Sequence, residues 1–166
     1  MSTRSLRTSI AVLGALAVTA YAVVMVLQIS VWNPLAAAPG LTLGEIGAVA
    51  ASRGETVFTP APWVFACIGI GLALVVLVPA ILVPTASTRV VTAAYLAIIA
   101  GGAPAYFAAS FGPGMSLADT FAISGGDHAA GGSVLMVASG TAAIVLVVLG
   151  VAYATSGRAT ASAVSA

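Results

Sequence analysis

Four stretches of this chain are apolar, free of charge and long enough to cross a lipid bilayer, and nothing else in the sequence restricts the fold so tightly. They cover 8–31, 63–83, 90–110 and 133–153. A hydrocarbon core about 30 Å thick takes roughly 20 helical residues to cross. A closed barrel is the other spanning solution, but its strands alternate apolar with polar, and none of these segments does so. The expected fold is therefore an all-α membrane protein of four transmembrane helices, a single membrane domain over residues 1–166.

Composition agrees. The chain is 61% hydrophobic and 5% charged, where a soluble domain carries about 25% charged residues to coat its surface. Its five basic residues are scattered arginines with no lysine, so nucleic acid is excluded as a partner for want of a phosphate-binding cluster. Cys67 is the only cysteine, which rules out an intrachain disulfide and thiolate-cluster metal sites and leaves it the role of small apolar filler in a helix.

The arginines set the orientation. Arg4 and Arg7 precede the first span, Arg89 lies in the connection 84–89, Arg158 follows the fourth span, and Arg53 alone falls on the other side. By the positive-inside rule both termini are cytoplasmic, and Glu45, Glu55, Asp119, Asp127 and His128 all lie outside. A lysine-free, Ala- and Gly-rich composition is associated with bacteria, which makes the bacterial plasma membrane the expected location. A cleaved signal peptide would have an apolar run of about 7–15 residues; the first run continues to Val31, so an uncleaved helix is expected. Trp32 and Trp63 fall at the outer interface, and Pro79 and Pro104 should bend their helices. Small residues at spacing four, Gly69 with Ala73 and Ala97 with Gly101 and Ala105, would admit close helix approach.

Compared with itself at an offset of 74 residues, the chain aligns Pro39-Gly40-Leu41-Thr42-Leu43-Gly44-Glu45 with Pro113-Gly114-Met115-Ser116-Leu117-Ala118-Asp119, and Tyr21 with Tyr95. The second and fourth spans align at an offset of 70. The fold is thus expected to be two duplicated helical hairpins, 9–85 and 86–155, related by a two-fold axis along the membrane normal, with 156–166 as a disordered tail. Thr42 and Ser116 are good N-caps with an acid three residues on, so each outer loop should carry a short interfacial helix, stopped near Gly54 and Gly125.

The spans hold no ionisable residue, and proton-coupled transport or haem ligation needs one. The hydroxyls of Thr19, Tyr21, Thr92, Tyr95, Ser139 and Thr141 are the polar groups expected at depth, with Tyr21 and Tyr95 the candidates to face a ligand. Outside, Glu45 and Asp119 would meet across the two-fold axis and, with Asp127 and His128, form an oxygen-rich cluster suited to a cation. No serine has a nucleophile-elbow context, and His128 beside Asp127 is no triad. An enzyme is not expected, nor a cofactor. The expected role is an accessory or interaction subunit, in contact with lipid and with other membrane subunits or itself. The alternative is a small transporter, channel or ligand-binding bundle, which a polar tunnel lined by Tyr21, Tyr95, Thr19 and Thr92 would favour.

Overall fold

The structure, a computed structural model, describes residues 3–83 and 85–164, with side chains described for 4–83 and 85–155. Of the tail expected to be disordered, 156–166, the backbone of 156–164 continues α7 and 165–166 lie outside the described residues. Helices α1 (Thr3–Leu27), α2 (Asn33–Ala37), α3 (Leu43–Ser52), α4 (Ala61–Leu82), α5 (Thr88–Ala100), α6 (Gly102–Phe121) and α7 (Gly131–Val164) follow one another, with a π-turn at Gln28–Trp32 joining α1 to α2. Four rods are long and apolar enough to cross a membrane: Arg4–Ala37, Ala61–Leu82, Thr88–Phe121 and Gly131–Thr155. This is the helical membrane bundle that the apolar stretches call for.

The rods run up and down between two ends, one holding the start of α1 and the turn before α5, the other holding α3 and the loop 122–130. α1 packs on α4 and α5, and α5 on α7. Small residues make this possible: Ala11, Ala73 and Ala80 are buried with Val18, Val91 and Tyr95 at the first end, and Ala22, Ala66 and Ala109 with Met25, Tyr106 and Leu135 further along. Between helices in lipid, close backbone approach replaces the hydrophobic drive that water supplies. At the second end Ile46 and Leu117 meet with Ala37, Ala50 and Val57, which seats α3 on α6.

Prolines explain the irregular places. Pro104 has no N–H for the carbonyl of Ala100 and its ring crowds that turn; the rod breaks there, at Gly101, between α5 and α6. Pro34 likewise offers Ser30 no donor, and the turn before it widens so that the Asn33 N–H reaches the Gln28 carbonyl. Pro79 lies inside α4, one turn from its end.

α3 begins as expected. Thr42 caps it in a complete capping box with Glu45, and Gly54 follows with φ +79°. The second loop expected to carry a short helix does not repeat this. α6 runs unbroken through Ser116 and Asp119, so no helix starts at Ser116. The Pro-Gly pairs have diverged: Gly40 turns with φ +88°, whereas Gly114 is helical and buried, close enough to the Gly125 carbonyl that a Cβ would crowd it. α6 stops at Ala122, in the left-handed conformation with φ 55°, and not at Gly125. Cys67 is exposed on α4, so it fills no core.

Candidate functional site

A belt of buried polar groups lies at the second end, where the π-turn, α6 and the start of α7 converge. Gln28 is 0% exposed, and its Nε2 donates to the Ala129 carbonyl at 3.1 Å. Its Oε1 is buried with no hydrogen-bond partner among the described residues. The Tyr106 hydroxyl, on a side chain 2% exposed, donates to Asp127 Oδ1 at 2.5 Å. The buried Asn33 accepts the backbone N–H of His128 on its Oδ1 at 2.6 Å, and the His128 ring lies with Nε2 3.0 Å from the Ser124 carbonyl.

Two glycines in the first turn of α7 let this belt close. A Cβ on Gly131 would overlap the Gln28 amide, and one on Gly132 would overlap the Asp127 carboxylate and the Tyr106 hydroxyl. Beside the belt, the Arg53 guanidinium donates to the Thr120 carbonyl, which ties the end of α3 to the end of α6. These bonds hold the loop 122–130 against three helices, while Gln28 Oε1 and the buried Thr120 hydroxyl keep no hydrogen-bond partner among the described residues. No nucleophile faces a general base in the belt.

The expected outer cluster does not assemble. Asp127 and His128 turn to different partners, Tyr106 and Asn33. Asp119 is exposed in the last turn of α6. Glu45 is exposed and bound locally: its carboxylate accepts the Thr42 N–H and the Thr42 hydroxyl, each at 2.7 Å. The backbone bond first, then the hydroxyl, hold the Glu45 carboxyl below its ordinary pKa, with a slight opposing effect of burial. Among the described residues no three His, Cys, Asp or Glu side chains converge on a point where a metal ion would sit.

Of the hydroxyls expected at depth, Thr141 is exposed and the others are bonded within the bundle. Thr19 bonds to the Ala15 carbonyl at 2.8 Å and Thr92 to that of Thr88 at 3.0 Å. The Tyr95 hydroxyl donates to the Ala73 carbonyl at 3.0 Å. Buried Ser139 lies 2.8 Å from the Ile99 carbonyl and 3.0 Å from the Tyr21 hydroxyl. Having one proton, it serves the carbonyl and receives the proton of Tyr21. Tyr21 also lines an apolar pocket of about 440 Å³ beside the α5–α6 break, with Met25, Phe65, Leu72, Ile98 and Gly101 among its walls. Tyr95 does not reach it, so of the two tyrosines expected to face a ligand only Tyr21 lines this pocket. Ala97 and Gly101 line this pocket and are exposed, so that small-residue stripe makes a recess and not a helix contact.

Gln28, Asn33 and Tyr106 were not singled out from the sequence. A signal for two of them was there: Gln28 is the only glutamine of the chain and Asn33 the only asparagine, both within or beside an otherwise apolar run. Comparison with known protein families, with characterised proteins and with solved structures finds no match.

Proposed function

We propose that this protein is a non-catalytic membrane subunit that acts by association with other membrane proteins or with a second copy of itself. The observation that carries this is the fate of the hydroxyls at depth. Those of Thr19, Thr92, Tyr95 and Ser139 are all consumed by backbone carbonyls of the bundle, and the mid-depth pocket at Tyr21 has an almost wholly apolar lining. A polar substrate or an ion would find no replacement for its hydration shell along such a route. The polar belt at the second end supports the same reading, because Tyr106 and Asn33 pin the loop 122–130 and a surface held in place suits association.

In this reading the chain sits in a bacterial plasma membrane with both termini in the cytoplasm, on the strength of Arg4, Arg7, Arg89 and Arg158. Descent from one duplicated hairpin rests on the sequence match and on the capped start of α3. The unbroken α6 means that any such ancestor's loop has been rebuilt in the second half.

The test is extraction in a mild detergent followed by identification of co-purifying chains, with cysteine labelling at positions 4, 55, 89, 127 and 158 in a Cys67-free background to fix the sides. A partner of constant stoichiometry, or a defined homo-oligomer, is the expected result. A chain that elutes as a monomer with no recurring partner would reject it. A second reading has one specific observation in its favour: the pocket at Tyr21 falls in the size range of small-molecule sites, which would make the bundle a receptor for an apolar ligand. Retention of such a ligand by the monomer, lost in Tyr21→Ala, would select that reading.

A further inference from the structure

We propose that the groove between the start of α5 and the end of α7 binds an anionic phospholipid, its headgroup on Arg89 and one acyl chain along α7. The groove has a volume of about 580 Å³ and is polar at one end and apolar at the other. Ser87, Thr88 and Arg89 form its mouth, where α5 begins. α7 runs antiparallel to α5, so Tyr153 stands beside that mouth, and Leu149 and Leu146 continue the wall about two helical turns toward the bundle centre. The Arg89 guanidinium lies over the Tyr153 ring, 6.0 Å from its centroid, a contact that keeps the charge at the mouth without neutralising it.

Charge complementarity names the occupant. All four acids of the chain belong to the opposite end: Glu45 on α3, Glu55 after it, Asp119 in the last turn of α6 and Asp127 in the loop 122–130. The end that holds Arg89 also holds Arg4 and Arg7 and, among the described residues, offers no acidic side chain. Basic pockets between membrane helices at the headgroup level recruit acidic lipids in this way. A free phosphate would leave the Leu146 and Leu149 wall uncovered, whereas a phospholipid covers both ends at once. The site does not depend on which leaflet it faces or on the association proposed above.

The experiment measures lipid retention by native mass spectrometry, with the unfolding midpoint as a second readout, for protein in detergent supplied with phosphatidylglycerol or phosphatidylcholine. One phosphatidylglycerol should remain bound and raise the midpoint, with phosphatidylcholine retained less. Arg89→Gln should weaken retention of phosphatidylglycerol about fivefold. Gly150→Phe should abolish it with every charge in place, because a Cβ at Gly150 meets nothing within 4 Å and the new ring enters the groove. The midpoint of each variant without lipid reports whether it folds; should Gly150→Phe fail there, Arg89→Gln decides alone. Equal retention of the two lipids, or phosphatidylglycerol retention untouched by Arg89→Gln, overturns the proposal. Displacement of the lipid by millimolar inorganic phosphate would replace it with a bare anion site.

Discussion

Tyr106 gives its only hydroxyl proton to Asp127, at 2.5 Å, from a position on α6 that is otherwise sealed. This one bond joins the third rod to the loop that leads into the fourth. It is also the contact that Gly132 is small enough to admit.

Tyr106→Phe should therefore cost about 1.5 kcal/mol, the low end for a bond to a charged group because Asp127 is itself exposed. The loop is expected to loosen first. Amide exchange across 122–130 should rise in Tyr106→Phe and in Asp127→Ala, and the double variant should lose little more than either single. Additive losses would mean that the two side chains are held separately.

The packing of α1 on α5 and α6 makes a second prediction. Tyr95 lies across Gly14, and Tyr21 across Gly102, so that α1 and the α5–α6 rod each offer a ring and a notch seven residues apart. Gly14→Ala and Gly102→Ala should each lower stability by about 1–3 kcal/mol, since the Cβ falls on ring carbons that the bundle fixes. Gly150→Ala, with open space at its Cβ, should lose nothing. Thermal unfolding in detergent separates the three, and an equal response at all of them would show that the rings move aside freely.

Much of this fold is legible in the sequence, because length and absence of charge are sufficient to place a rod in lipid. The capped start of α3 is equally plain, since Thr42 and Glu45 interact over three residues and need no tertiary partner. What failed was inference across the bundle. Ser116 has the same local pattern as Thr42, yet α6 continues through it, since the Gly125 carbonyl comes to rest against Gly114 and the chain turns only at Ala122. Cap propensity gives way to packing of that kind. Tyr106 is hidden for a related reason: its partner Asp127 is 21 residues away, and no periodicity links them. Tyr21 and Tyr95 match in sequence but engage different glycines and different carbonyls, so the equivalence in the alignment does not become one in contacts.

Glu45 makes α3 pH-sensitive. Its carboxyl titrates below the ordinary value because the charged form accepts the Thr42 N–H and hydroxyl. A depressed folded pKa adds stability that is present above the unfolded pKa and is lost as pH falls through the folded one. Protection of the α3 amides, corrected for intrinsic exchange, should thus hold down to the ordinary carboxylate range and decline only below it. Glu45→Gln should remove that dependence. A decline of the same shape in the variant would assign it to another group.

Arg7 supplies the most consequential single side chain at the first end, although it was read from the sequence as a flanking charge. It is 4% exposed; its Nε donates to the Ala80 carbonyl at 2.9 Å and one terminal nitrogen to that of Ala86 at 3.0 Å. Ala80 has a specific need for that donor. The residue four further on is Pro84, which has no N–H, so the helix cannot serve this carbonyl even by continuing. Arg7 takes the place of the missing amide and at the same time binds α1 to the turn before α5. A positive charge near the carbonyl end of α4 also suits that helix's dipole. Arg7→Ala should cost about 2–4 kcal/mol, through lost charged hydrogen bonds and carbonyls left buried. Arg7→Lys should recover part of it, because an ammonium lacks the planar fork that reaches two acceptors. Arg4→Ala, on an exposed side chain, should stay within about 0.5 kcal/mol of the parent. The unfolding midpoints of the three variants in detergent decide it. If Arg7→Ala unfolds with Arg4→Ala, the carbonyls of Ala80 and Ala86 find donors elsewhere and Arg7 is no more than a charge at the membrane surface.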